Sequence, residues 1–557
     1  MSSRQCDNCR WLCLALFGAT VIAVRSKVPP YMSVDVMVYA ANPAGIGAAI
    51  AAAANGSHSV ALFEPLTMIG GMGAAGGVGL MNQGCGLAGV TGLGREWGLL
   101  NGAYYNGPVN PPLNVFPDMF VAEQSFWIML NATPGVTVWP GCRLVDVSRN
   151  GTCVSEANLL CAGDTVALTV AASVFIDASY DGDVMVAAGG IDFAHGREGQ
   201  DEFNESLAGV SVLDEQNESF DRQNLSVSAA FPNGTFLPGI STVPLPVPGT
   251  ADDSLMAFAY FACVSDTPGN MIPYPRPADY DPNAFALLQE QIEGVMSNGM
   301  YPNGPGLSSC DFVWLLSWDA PHVLSASCFP PADLSYFSEY HQYDTNRSTK
   351  LLLCCGVGPV NCDEPGLNAG WATANYSERL RIAAAHKAYL LGSLYYMANE
   401  PRVPNYTRYA IGRWGLCADE YAAFDNWPPQ LYIRVSNRLR GQALLTQNNI
   451  ANPRSKPDGV SMGCWEFDQH TVTRHAVADP HNSSRKIARN EGYFRNDLTA
   501  PNLPCTHPEA ACSAAGNWYD VPFGVMLPKR GQVCVGQCRQ GGWRMHDSLL
   551  SCRPPIS

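Results

Sequence analysis

The sequence predicts an α/β fold: a dinucleotide-binding, Rossmann-like domain split along the chain, with a β-rich and helical portion inserted into it. Two observations carry this expectation. Residues 34–71 run strand, tight turn, small-residue helix, strand, and the 557 residues of the chain are too many for one ordinary domain.

The opening unit is read residue by residue. Val34 to Tyr39 is a short, mostly apolar run of buried-strand character. A turn follows at Ala40-Ala41-Asn42-Pro43, then a helix from Ala44 to about Ala54. A second strand, Ser59 to Phe63, ends on Glu64. The free N–H groups at the helix start would face a pyrophosphate. Gly45 and the alanines let the helix approach strand and ligand. Glu64 sits where a carboxylate would accept hydrogen bonds from an adenosine ribose. The usual glycine pattern reads Ala40, Asn42, Gly45, so only the third glycine is kept. Asn42 tolerates the left-handed conformation a tight turn can require, whereas Ala40 crowds it. By itself the motif also suits a βαβ unit that holds no nucleotide.

Further along, Val136–Trp139 and Cys142–Val147 read as strands. Cys153–Cys161 and Thr165–Ala171 read as an added β ribbon before the strand into Asp177. Residues 34–190 therefore form the first segment of the nucleotide domain. Residues 191–330 are rich in Pro and Gly and read as a β-rich substrate domain, loop-rich over 201–250. A helical cap follows over 331–510. There Leu380, Ala384, Ala388, Leu391 and Tyr395 recur at helical spacing, predicting a core face that Pro401 and Pro404 terminate. A second helix is expected over Tyr432–Thr446. Residues 511–530 return to the first domain.

Several separated blocks resemble a known family, the secreted and bacterial FAD-dependent oxidoreductases related to glutathione-reductase-like flavoproteins. They are Ala40-Ala41-Asn42-Pro43-Ala44-Gly45, Glu64-Pro65 and Gly70-Gly71-Met72; Ile176-Asp177-Ala178-Ser179-Tyr180-Asp181-Gly182-Asp183; Trp414-Gly415-Leu416 through Arg438-Leu439-Arg440-Gly441; and Val521-Pro522-Phe523 to Leu527-Pro528-Lys529. The likeness spans roughly residues 34 to 530. It implies FAD as cofactor. The residues it implies for FAD are Ala40, Asn42, Pro43, Ala44, Gly45, Glu64, Gly70, Gly71 and Met72, with Arg143 on the strand resembling the one that passes the adenine. Asp177, Gly182 and Asp183 would order the cofactor loop. The chain departs from the family after Lys529-Arg530: residues 531–557 show no apolar helical period and read as an atypical, poorly ordered tail.

Composition narrows the function. A net charge of -16 and the lack of a basic run argue against nucleic acid. Residues 1–27 read as a signal peptide, with Arg4 and Arg10 before the apolar run Trp11–Val24. The alternative is an uncleaved signal anchor. Asn55, Asn131, Asn150, Asn204, Asn217, Asn224, Asn233, Asn346, Asn375, Asn405 and Asn482 each head an Asn-X-Ser/Thr sequon. The 20 cysteines, three of them in the leader, suit an oxidising compartment. Cys354, Cys355 and Cys362, and Cys505 and Cys512, are close enough for local disulfides, and the sequence dictates no connectivity. A secreted protein with a small-molecule substrate and no stable membrane partner is expected; the oligomeric state is open.

A flavoenzyme needs no nucleophile or metal cluster, because the cofactor takes the hydride. The candidate for substrate chemistry is Asp468-Gln469-His470, which resembles the family's Asp-Ser-His block. His470 could take a hydroxyl proton while hydride leaves carbon; a structural, hydrogen-bonded histidine is the competing reading. Arg434 and Arg438, one turn apart on the expected helix, could face an anionic substrate or a flavin edge, or be part of a salt-bridged surface with Arg440. Gly459-Val460-Ser461-Met462-Gly463 matches a nucleophile elbow in letters only, since Pro453 and Pro457 precede it and no helix follows. No metal site is expected. The resemblance implies an FAD-dependent oxidoreductase acting on a small organic substrate, hydroxylated or carbohydrate-like. The alternatives are a secreted, cofactor-less binding protein on the same fold and an NAD(P)-dependent dehydrogenase, which Glu64 would also suit.

Overall fold

The computed structural model describes residues 28–54, 58–79, 90–213, 227–297, 350–353, 360–451, 458–463, 467–492, 494–496 and 519–532. The leader, the tail beyond Gln532, Cys354, Cys355, Cys505, Cys512 and the sequons at Asn55, Asn217, Asn224 and Asn346 lie outside these residues. The chain divides into two compact units. One takes in the described residues 28–69, 127–192 and 528–532; the other takes in 70–126 and 193–527. This differs from the sequence reading, which kept 34–190 in one piece: residues 70–126 group with the second unit. The return of the chain to the first unit begins at Pro528.

The first unit is a six-stranded sheet ordered β3-β2-β1-β6-β5-β4. Its strands are β1 (Tyr31–Tyr39), β2 (Val60–Glu64), β3 (Val136–Pro140), β4 (Cys142–Asn150), β5 (Cys153–Cys161) and β6 (Val166–Asp177). β1 pairs in parallel with β2, Val38 opposite Leu62, and with β6, Tyr39 opposite Asp177. The strand ends that carry Ala40, Glu64 and Asp177 are therefore neighbours. The apolar runs demanded this: every residue of β2 is buried, as suits a parallel strand covered on both faces. The expected ribbon is present, but its second strand and the strand into Asp177 are one continuous β6. A disulfide joins Cys142 and Cys161, which face each other across β4 and β5. Between β1 and β2 lies helix α1 (Pro43–Ala53), burying Gly45, Ile46, Ala49 and Ala53. The stacked pair Phe63 and Trp139 belongs to the core on the sheet, with Met37, Tyr39 and Phe175.

In the second unit β7 (Ala262–Ser265), β8 (Met271–Ile272), β9 (Lys350–Leu353) and β10 (Gly415–Cys417) form a four-stranded sheet ordered β9-β7-β10-β8. A disulfide links Cys263 on β7 to Cys417 on β10. The long helix Tyr376–Asn399 forms where periodicity predicted it, capped by the Asn375 side chain on Glu378 N–H at 3.0 Å. Its buried face is not the predicted one over the first turns. Ile382, His386, Leu390, Leu394 and Met397 are buried, whereas Leu380, Ala384 and Ala388 are exposed. Alanine is indifferent to burial, so a row drawn through two alanines carried little information, and the true row contains a histidine. The helix expected over Tyr432–Thr446 does not form. Tyr432 bridges Ala259 in antiparallel fashion, and Arg438–Leu439 is a short strand pairing with Phe193–Ala194. Residues 459–463 are a strand paired with Tyr519–Pro522, so Ser461 is on no nucleophile elbow. Among the described residues no helix is long and apolar enough to cross a membrane.

Candidate functional site

In the first unit, the turn at the end of β1 is built by three residues, Ala40, Asn42 and Gly45. Ala40 adopts the left-handed conformation, φ 75°, at the position where the usual pattern has its first glycine. Asn42, expected to take that role, instead has φ -80° and caps α1: its side chain accepts from Gly45 N–H at 3.0 Å and donates to the Ala178 carbonyl at 2.5 Å. One asparagine thus ties the turn to the end of β6. Gly45 admits no substitute, since a Cβ there would fall 1.9 Å from the Ala40 carbonyl oxygen. Pro43 and Ala44 are exposed, and no acidic side chain occupies the first turn of α1.

Glu64 is buried at the end of β2. One carboxylate oxygen accepts from Ala41 N–H at 2.7 Å, the other from Leu66 N–H at 3.0 Å. Burial pushes its carboxyl up to about 7, against the opposing pull of those two donors. Asp177 accepts from Ser179 N–H at 3.0 Å, the Ser179 hydroxyl at 2.6 Å and Met185 N–H at 2.9 Å. Its carboxyl is raised to about 6, burial again dominating. Gly182, φ 68°, caps the helix Asp183–Ala188, and the Asp183 N–H donates to Ser179 at 2.8 Å. Arg143 points its guanidinium into a bidentate pair with Asp164, at 2.7 and 2.8 Å. That pair ties β4 to the turn between β5 and β6.

An exposed helix start without acidic side chains, a glycine where no Cβ fits and a carboxylate at the end of the adjacent strand suit the adenosine and phosphate half of FAD.

In the second unit, Gly70 (φ 98°) and Gly71 (φ 49°) begin a tight turn through Val78. A Cβ on Gly70 would meet Ala74 at 2.8 Å and Phe126 at 2.9 Å. Met72, half-buried, packs its thioether over Gly76.

The predicted histidine has a partner that sequence reasoning missed. His470 Nδ1 lies 2.6 Å from Asp363 Oδ2, and Arg434 Nη2 lies 3.0 Å from Asp363 Oδ1. Arg434 and Asp363 are buried, and His470 is at the margin, its side chain 17% exposed. The Arg434 guanidinium also donates to the Ala257 carbonyl and stands 4.9 Å over the Tyr432 ring. Burial disfavours the Asp363 carboxylate, but Arg434 and His470 outweigh it and hold the group below the usual carboxylate range. With Nδ1–H donating to the carboxylate, the basic nitrogen of the neutral ring is Nε2. Asp363 carries no periodic or motif signal in the sequence; only the acidic, proline-flanked run Asp363-Glu364-Pro365 marks it out.

The three arginines part company for want of a helix. Arg434 turns inward to Asp363, Arg438 pairs with Glu198 at 2.5 Å, and Arg440 pairs with Glu202. Arg434 therefore does not stand beside Arg438 as a joint anion site. Asp468 lies on the short strand Phe467–Gln469, its backbone opposite Arg495; its side chain falls outside the described residues.

A family model for FAD dependent oxidoreductases matches residues 35–538. No protein of curated function matches the chain. Among solved structures, it is similar to a geranylgeranyl bacteriochlorophyll reductase-like protein from Thermoplasma acidophilum. That match has 20% identity and a TM-score of 0.21, and covers 28% of this chain and 42% of the other. It is also similar to the myxobacterial chondrochloren halogenase (19% identity, TM-score 0.21, 30% and 41% covered). A third match is E. coli quinol fumarate reductase (15% identity, TM-score 0.21, 37% and 47% covered). This chain spans less than half the length of each.

Proposed function

Because this chain belongs to the FAD dependent oxidoreductase family, we propose that it oxidises a small hydroxylated molecule, with His470 receiving the hydroxyl proton. The observation that carries the reading is the 2.6 Å contact between His470 and Asp363. When bound, FAD supplies the acceptor for the hydride that leaves the substrate carbon. His470 Nε2 takes the proton from the hydroxyl oxygen, so an alcohol becomes a carbonyl compound and atoms and charge balance. Asp363 holds the ring in the tautomer that leaves Nε2 basic and stabilises the imidazolium that forms. Arg434 keeps Asp363 ionised. Ala40 to Gly45 and Glu64 would hold the adenosine and phosphates, and Asp177, Gly182 and Asp183 would order their loop; the resemblance also implies Gly70, Gly71 and Met72 as cofactor contacts.

The test is anaerobic bleaching of the flavin band near about 450 nm by a panel of sugars and polyols. With a compound that bleaches it, His470→Asn should slow reduction by roughly 10² to 10⁴ while retaining flavin. Reduction at the unmodified rate would remove the histidine from the chemistry. Bleaching by amines alone would replace the substrate class.

A second reading concerns compartment. The leader and sequons support passage through the secretory pathway. Asn131, Asn150, Asn233, Asn375, Asn405 and Asn482 are all exposed, and two disulfides join residues of the described core. Treating protein from a eukaryotic host with a glycosidase should lower its mass; an unshifted band would contradict this.

A further inference from the structure

We propose that Tyr421 is the positioning residue for the Gly70–Val78 turn, holding that glycine-rich backbone in the shape that meets FAD. The inference rests on the reading of Gly70, Gly71 and Met72 as cofactor contacts. Tyr421 adopts φ 52°, a left-handed conformation rare for a bulky side chain. Asp425 and Asn426 share it, at φ 56° and 57°. Such a cluster persists only where surrounding contacts over-determine it, and here they do. Asn426 Nδ2 donates to the carbonyls of Cys417, Ala418 and Glu420 at 2.9 to 3.0 Å. Cys417 is fastened to Cys263 by a disulfide. Glu420, buried, accepts from Met119 N–H at 3.2 Å and from Lys350 at 3.1 Å.

The wound loop presents the buried Tyr421 hydroxyl to the Ala74 carbonyl at 2.8 Å, and Gln430 N–H to the Ala75 carbonyl at 3.3 Å. The turn's own hydrogen bonds are short-range: Gly73 to Gly70, Gly76 to Gly71, Gly77 to Ala74 and Val78 to Met72. The stretch 70–79 holds six glycines, Gly70, Gly71, Gly73, Gly76, Gly77 and Gly79, and loses much backbone entropy on ordering. An external tether from a rigid, disulfide-pinned loop offsets that loss before the ligand arrives. Tyrosine suits this role because its ring buries apolar surface while its hydroxyl reaches the carbonyl.

The test titrates full-length apoprotein with FAD, reading flavin fluorescence and the visible circular dichroism of bound flavin. Tyr421→Phe removes only the hydroxyl. It should weaken FAD binding about three- to tenfold and alter the visible dichroism. A lowered melting temperature with both flavin readouts unchanged would overturn the proposal, since a merely structural tyrosine behaves so. Gly70→Ala, which distorts the turn directly, separates two ways of failing. Lost FAD binding in Gly70→Ala beside unchanged binding in Tyr421→Phe overturns the role of Tyr421 alone. Unchanged binding in both overturns the proposal and the assignment of the turn as well.

Discussion

Asp363 and His470, 107 residues apart in sequence, meet at 2.6 Å, and Arg434 closes on the other carboxylate oxygen at 3.0 Å. The histidine was a candidate from the start; its orienting partner was not. The contact orients the ring and, with Nδ1–H on the carboxylate, leaves Nε2 as the nitrogen that carries the lone pair in the neutral tautomer.

The Asp363–Arg434 pair is buried, which sets the cost of breaking it. Arg434→Met should destabilise the protein by about 3–5 kcal/mol, because the Asp363 carboxylate is left without its countercharge. The double variant Asp363→Leu, Arg434→Met should recover much of that loss in urea unfolding. A double variant as unstable as the single one would show that the pair is not what Arg434 contributes.

Ala40 occupies a left-handed position that glycine takes without penalty. Ala40→Gly should therefore stabilise the protein, relieving a conformational cost of about 1–2 kcal/mol less the added freedom of the unfolded glycine. A net gain of roughly 0.5–1 kcal/mol in denaturant unfolding is expected. A loss would mean that the methyl group of Ala40, which is buried, packs for more than the strain costs.

Gly45→Ala is the counter-example on the same turn. The new Cβ would sit 1.9 Å from the Ala40 carbonyl oxygen, and backbone cannot swing aside like a side chain. A loss of about 1–3 kcal/mol in stability and weakened flavin retention are expected. Wild-type behaviour in both measurements would show that α1 can slide away from the turn.

Stability should fall with rising pH through Glu64. Its folded carboxyl lies near 7 against an ordinary 4.5. Below 4.5 both folded and unfolded states hold the proton, and the contribution is fully present. Between 4.5 and about 7 the folded state alone keeps it, so each pH unit erodes stability, by about 3 kcal/mol in all. Asp177, raised to about 6, adds in the same direction over the lower part of that window. Glu64→Gln, which mimics the protonated form, should flatten the profile of unfolding free energy between pH 5 and 8 (roughly the span over which a group near 7 titrates). An equally steep profile in the variant would assign the dependence elsewhere.

What the sequence determined by itself was whatever depends on local pattern. The apolar runs at Val34–Tyr39 and Ser59–Phe63, separated by small residues, could only be buried parallel strands around a helix, and they pair in register. The long helix ending at Asn399 was equally legible from its period and its terminating prolines. What only the tertiary structure decided was whatever depends on residues far apart. The handedness of the turn fell to Ala40 and not Asn42, because Asn42 is drawn away by Gly45 and by Ala178, 136 residues on. The inner face of the long helix ran through His386, since Phe258 stacks there. Arg434 left its neighbours because a buried carboxylate from Asp363 waited for it. A period along the chain reports one element's own geometry. It carries no record of which distant backbone or charge will satisfy a polar group once water is excluded.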